Sequence, residues 1–425
     1  MKRFTQLAFV ALLASCAGGQ NQTQSTDVAQ ETVAFPYTVT EATPKRQNLS
    51  VAVERAFNDY MSYRPEDNPL YTSFTYTPIE GLDYNGGDGT VSRRDPSKVI
   101  KVGDKYYMYY TKRDTKCPPI GAKNAAQCDD ETPSTDWDCS EIWCATSKDG
   151  FTWSELGCSV PRANKPETGH RSVSTPDILV WKGKYYLYYQ AFNEPSGLKG
   201  DYCPVSMSYA DSPEGPWTHT RKQVIPAGAE GEWDQFAVHD PYPLVHNGKI
   251  YIYYKSAFNR PNKLWIASGI VTADDPAGPF TRSPKNPIMN SGHEVALFPF
   301  KTGVAAIVAQ DGNERNTIQY APNWDDFSIA ATVDMTPTAA GAYVPDAFTN
   351  TTDGIGIKWG ICHFTFQGAP GKGYSILDRF DCCLTQTDFE PAYKSTKRVK
   401  SRQECMKYAT SPKTKKARQE EFLLK

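Results

Sequence analysis

The 425-residue chain has 39% hydrophobic and 12% aromatic residues, with 25 Tyr and 9 Trp, and a formal net charge of -2. That near-neutral balance excludes a nucleic-acid partner for its body, which would need a basic surface. A closed all-β fold often exceeds about 200 residues as one unit, so a single such unit with appendages is the economical expectation.

The N-terminus opens with Lys2-Arg3, a short apolar run from Phe4 to Ala14, and Leu13-Ala14-Ser15-Cys16. The run is too short to span a bilayer as a stable helix and reads as an export signal over residues 1–16. Its last four residues look like a bacterial lipobox, which makes Cys16 the lipidation site of an outer-membrane, cell-surface or periplasmic lipoprotein; the alternative is ordinary signal cleavage near Ala17 with no lipid. Residues 17–36 are rich in Gly, Gln, Asn, Ser and Thr, the composition of a flexible tether. Between residues 37 and 75 the period turns helical, with Val51, Phe57, Tyr60 and Met61 set among Glu54, Arg55 and Asp59. This predicts an N-terminal helical arm. Export makes Cys117, Cys128, Cys139, Cys144, Cys158, Cys203, Cys362, Cys382, Cys383 and Cys405 disulfide candidates. No CxxC spacing occurs and no His lies between Cys117 and Cys158, so that stretch does not read as a zinc site.

From 76 to 392 one motif recurs: an acidic residue opens an apolar run that leads into a Tyr-rich strand. Asp95-Pro96 leads to Tyr106-Tyr107-Met108-Tyr109-Tyr110, Pro176-Asp177 to Tyr185-Tyr186-Leu187-Tyr188-Tyr189, and Asp240-Pro241 to Tyr251-Ile252-Tyr253-Tyr254. Degenerate copies begin at His293-Glu294 and Pro345-Asp346. The spacing matches propeller blades of about 40–50 residues plus insertions, and predicts an all-β, five-bladed β-propeller. Such a fold directs the first strand of every blade to one axis, so Asp95, Asp177, Asp240, Glu294 and Asp346 are expected to ring a sugar-sized or cation-sized site. For Asp177 and Asp346 an ordinary capping role on a neighbouring blade weighs evenly against sugar binding. The aromatic after each Asp-Gly or Gly-Pro turn, Trp153, Trp217 or Phe280, is expected to plug the space between blades. Residues 393–425 form a basic tail that reads as solvated surface.

Arg94-Asp95-Pro96-Ser97, the Asp240 repeat, Gly292-His293-Glu294, and Ser50-Val51-Ala52-Val53-Glu54-Arg55 on the arm together resemble glycoside hydrolase family 117 over roughly residues 49–384. That family removes 3,6-anhydro-L-galactose from neoagaro-oligosaccharides of red-algal agar. The resemblance implies an exo-acting, inverting hydrolase with Asp95 as general base, Asp240 and Glu294 as further acids of the subsite, and His293 or Glu294 as proton donor. Arg94, Asp177 and Asp346 would contact sugar. It also implies a homodimer formed by exchange of the arms, with Arg55 reaching the partner's pocket. No organic cofactor is needed, although a divalent cation in the channel fits the acid ring. The cysteine-rich insertion and the basic tail depart from the family pattern, leaving a different anhydro-galactoside or a sulfated algal oligosaccharide open. Two rivals use the same acids: a glycan-binding lectin, which would release no sugar, and an arabinan- or xylan-type glycosidase, which would not need Arg55.

Overall fold

The computed structural model describes residues 68–198, 201–260, 263–289, 291–312, 314–367 and 373–386. The segments read as an export signal with Cys16, a tether, a helical arm with Arg55 and a basic tail lie outside the described residues. Among the described residues the chain is almost wholly β, with two short 3-10 turns at Asn85–Gly87 and Ala122–Gln127.

Three successive antiparallel sheets reproduce the sequence repeat. The first runs Val91–Arg94, Lys105–Asp114, Glu141–Ser147, Ser154–Val160, and the second Ser172–Trp181, Lys184–Phe192, Val205–Ala210, Thr218–His219. The third runs His239–His246, Lys249–Arg260, Lys263–Ala273, Thr281–Arg282. Beyond them, Ala296–Lys301 leads a meander through Gly303–Val308, Thr317–Ala321 and Ser328–Thr332. That meander joins the long hairpin of Gly354–Gln367 and Gly373–Thr385 through Phe300–Ile355 and Lys301–Gly354, making one eight-stranded sheet. Its outer edge is Thr75–Pro78, which pairs antiparallel with Asp378–Asp381. Residues from before the first sheet therefore close the last one, a link between chain ends that no local pattern reveals.

The Tyr-rich strands explain how the sheets stack. Successive strand residues point to opposite faces, and here both faces are covered. Tyr107 and Tyr109 pack with Val173 and Leu187 of the second sheet, while Tyr106, Met108 and Tyr110 pack with Trp359, Ile361 and Leu377 of the last. In the second sheet Leu187 and Tyr189 face the first, and Tyr188 packs with Ile250 and Ile252 of the third. A strand buried on both faces reads as a continuous apolar run, and tyrosine serves only if each hydroxyl finds a partner. The equivalent hydroxyls of Tyr109, Tyr188 and Tyr253 donate to the carbonyls of Pro213 (2.6 Å), Pro276 (2.7 Å) and Trp324 (2.8 Å) in the neighbouring unit. Beside each bond an aromatic ring stands edge-on: Trp217 against Tyr109, Phe280 against Tyr188, Phe327 against Tyr253. Such pairs contribute about 0.5–1.5 kcal/mol beyond their buried area. Trp153 fills the same role against the last sheet.

The expected disulfides do not form at Cys117, Cys128, Cys139, Cys144, Cys158, Cys203, Cys382 or Cys383, which are free thiols. Cys144 shows why. It sits in the apolar layer between the first two sheets, where burial pushes its thiol well above the usual range and it acts as a small hydrophobic side chain.

Candidate active site

Each unit delivers its site residue through the same local device. Asp95, Thr175, Asp240, Glu294 and Ala339 all have left-handed backbone, with φ of 49°, 48°, 53°, 56° and 47°. They are followed by Pro96, Pro176, Pro241, Val295 and Ala340, and all ten residues line one pocket. The strands of the second and third units shift register at Ser174/Asp177 and His239/Tyr242, so the turn is a bulge that re-aims the side chain inward. Left-handed residues other than glycine cost about 1–3 kcal/mol each and gather at functional sites.

This geometry corrects the frame of the repeat. Pro176 aligns with Pro96 and Pro241, so the counterpart of Asp95 in the second unit is Thr175, and in the last unit Ala339 takes the place expected of Asp346. Asp177 does line the pocket, but its carboxylate accepts the Lys98 N–H at 2.8 Å and lies 2.5 Å from Lys98 Nζ. Asp346 is not among the lining residues; its Oδ2 accepts the Ile355 N–H at 3.0 Å. The proline position, rather than the nearest acid, was the usable signal.

Asp346 offers a separable test. Burial raises its pKa to about 6 despite the Ile355 hydrogen bond. A carboxyl raised in the folded state contributes stability that is complete below its unfolded pKa, near 3.8, and lost as pH rises through 6. The stability of wild type relative to Asp346→Asn, followed by urea denaturation, should therefore fall by roughly 2 kcal/mol from pH 4 to pH 7. A flat difference would refute the assignment.

Asp95 and Glu294 converge on Arg94, and Asp240 stands beside Glu294. The Arg94 Nε donates to Asp95 Oδ2 at 2.8 Å and Nη2 to Glu294 Oε1 at 3.1 Å. Asp95 also accepts from the Thr111 and Thr175 hydroxyls at 3.3 and 3.2 Å, and its own N–H donates to His363 Nδ1 at 3.2 Å. Asp240 Oδ2 accepts the Glu294 N–H at 3.0 Å and lies 3.8 Å from Lys255 Nζ. His293 is the more open group, with 30% of its side chain exposed and Nε2 3.5 Å from Glu294 Oε1.

These surroundings drive the two buried carboxyls apart. Burial pushes Asp95 up, but the Arg94 guanidinium and its hydrogen bond outweigh it and hold Asp95 down at about 2. Burial raises Glu294 to about 7, with Asp95 and Asp240 adding to the rise against His293 and Arg94. Asp240 is also lowered: its burial is outweighed by Lys255, His293 and His239. Two carboxyls with separated proton affinities are suited to acid and base work. His363 is held neutral, its pKa lowered to about 3 by burial and Arg94.

Asp95, Glu294 and His363 place one potential ligand atom each within 4.8 Å of one another. Asp95 Oδ1 is buried without a hydrogen-bond partner, so the trio could hold a metal ion.

Comparison with known proteins settles the family. The chain is 60% identical to a solved structure titled "Zg3597, a family 117 glycoside hydrolase, produced by the marine bacterium Zobellia galactanivorans", covering 75% of this chain and 92% of that one at a TM-score of 0.72. The chain belongs to glycoside hydrolase family 117. Residues 90–268 of this family 117 protein match the model described as "Glycosyl hydrolases family 43". A solved structure titled "Glycoside hydrolase" is 12% identical, covers 82% of this chain and 98% of its own, and superposes at a TM-score of 0.53. That likeness bears on the fold alone, which is propeller-like. No match was found among curated proteins. This family 117 chain is a glycoside hydrolase.

Sequence reasoning missed Thr175, Asp136 and Trp137. Thr175 could have been found from its following proline. Asp136 and Trp137 lie in the cysteine-rich insertion, where neither repeat nor spacing marks them, yet the Trp137 ring lies 5.0 Å from the Arg94 guanidinium and Asp136 Oδ2 3.7 Å from Arg94 Nη1.

Proposed function

We propose that this family 117 hydrolase is exo-acting and inverting, and releases 3,6-anhydro-L-galactose or a related anhydro-sugar from red-algal oligosaccharides such as neoagarobiose. The observation that carries the reading is the ionised, Arg94-clamped Asp95 at the pocket, joined to the 60% identity with a family 117 enzyme. Asp95 is the general base that draws a proton from water, and Asp240 and Glu294 shape the charge around the sugar. An inverting acid–base pair needs about 6.5–9.5 Å between its groups. Glu294 is buried and held by Arg94, whereas His293 is the more open group, which favours His293 as proton donor with Glu294 beside it. The cations backing the pocket are already held by carboxylates: Arg94 by Asp95 and Glu294, Lys98 by Asp177, Lys255 by Asp240. That arrangement favours an uncharged sugar over a sulfated one.

Five left-handed turns at one pocket support five blades, with the eight-stranded sheet holding the last two joined at an edge. The reading keeps the exported lipoprotein anchored at Cys16 and the arm-exchanged homodimer whose Arg55 completes the partner's pocket. If a cation binds, Asp95, Glu294 and His363 would hold it and supply electrostatic stabilisation.

Incubation with neoagarobiose and anomer-resolved NMR tests the reaction: the first-formed anhydro-sugar should be the inverted anomer. Binding without release would support the lectin instead. His293→Ala should lower turnover of the disaccharide by about 10²–10⁴-fold, and much less for an aryl glycoside whose leaving group needs no proton. Equal losses on both substrates would remove His293 from that role.

A further inference from the structure

Asp136 lies in the cysteine-rich insertion, between Lys105–Asp114 and Glu141–Ser147, and the reaction as described makes no use of it. Its side chain is 11% exposed. Oδ2 stands 3.7 Å from Arg94 Nη1 and accepts the Ser375 hydroxyl at 2.7 Å. Oδ1 accepts Arg113 Nη2 at 3.2 Å, and the Asp136 carbonyl accepts Arg113 Nε at 3.3 Å. Arg113 is itself fully buried and tied to the carbonyls of Gly89 and Thr90 at 2.9 Å each, and Ser375 belongs to the last sheet. The carboxylate is therefore fixed from two sheets at once.

A guanidinium is planar, with its donors in a rigid fork. Arg94 donates Nε to Asp95 and Nη2 to Glu294, and its Nη1 faces the Asp136 carboxylate at an ion-pair distance of 3.7 Å. The fixed Asp136 charge draws the third nitrogen to its side and so biases the plane, and the plane decides where the other two point. The Trp137 ring covers that fork 5.0 Å away, leaving little room for it to rotate.

We infer that Asp136 is a positioning residue, which orients Arg94 across Asp95 and Glu294 and makes the cysteine-rich insertion part of the catalytic apparatus. This rests on Asp95 acting as the base of the proposed hydrolysis.

Asp136→Asn keeps the side chain's size and removes its charge. On the disaccharide, kcat should fall about 10–100-fold, the range typical of outer-shell partners, while KM stays within about twofold. In an Arg94→Lys background the same change should cost less than twofold, because the fork it orients is gone. A kcat unchanged by Asp136→Asn, or a loss as large in the Arg94→Lys background, overturns the inference. A crystal structure of Asp136→Asn reads the same point without substrate. Arg94 should leave Asp95, Glu294 or both, and an undisturbed fork overturns the inference even if the wild-type enzyme proves inactive on neoagarobiose. That inactivity would by itself count only against the proposed substrate.

Discussion

Asp95→Asn is expected to lower turnover by about 10²–10⁴-fold, the range of a lost general base, while the protein keeps its fold and still binds the disaccharide. The choice of asparagine matters. Asp95 has φ of 49°, and asparagine is among the few residues besides glycine that accept this region readily. Alanine would add backbone strain to the loss of the carboxylate and blur the reading. Asparagine also keeps an acceptor for the Arg94 Nε–H, for which Asp95 Oδ2 is the present partner at 2.8 Å. Steady-state kinetics, isothermal titration with the disaccharide and a melting curve should show kcat lost with affinity nearly kept and a cooperative melting transition retained at a somewhat lower temperature, since buried Arg94 loses a charged partner. Turnover within tenfold of wild type would exclude Asp95 as the base.

The second large effect concerns stability. Lys98 is fully buried, with Nζ 2.5 Å from Asp177 Oδ2 and 4.0 Å from the Tyr242 ring centroid. Burial pulls its pKa down to about 8 even though Asp177 pushes the other way. Burial likewise raises Asp177 against the pull of Lys98. Desolvation thus opposes the charged form of both partners. Removing one partner strands the other, so Lys98→Ala should destabilise the protein by about 3–5 kcal/mol. Removing both charges while keeping an acceptor for the Lys98 and Ile178 N–H groups, Lys98→Met with Asp177→Asn, should recover most of that loss, since a buried ion pair is often no more stable than its neutral replacement. Urea denaturation measures both. A double variant as unstable as Lys98→Ala would show that the pair itself, rather than the stranded charge, supplies the stability.

Much of the fold was legible because the repeat is a local pattern with a strong physical cause. A Tyr-rich strand between two turns has to be covered on both faces, and Tyr109, Tyr188 and Tyr253 meet that demand with the same carbonyl bond and the same edge-on ring. Trp153, Trp217 and Phe280 were readable as packing residues for the same reason. The cysteines were less legible, because compartment suggests chemistry while packing decides it: Cys144 lies inside an apolar layer with no partner thiol bonded to it, and Cys405 lies outside the described residues.

By itself the sequence determined the all-β repeat, and placed Asp95, Asp240 and Glu294 in related positions. Tertiary structure alone decided which member of each copy turns inward, because a bulge shifts the pleat and a single residue of register sends a side chain to the other face. That is how Thr175 came to face Asp95 while Asp177 was left to hold Lys98. Closure of the last sheet by Thr75–Pro78 and the seating of Asp136 on Arg94 are contacts between segments far apart in the chain. Their energies depend on distances that exist only once the sheets have assembled, so no spacing along the chain could announce them.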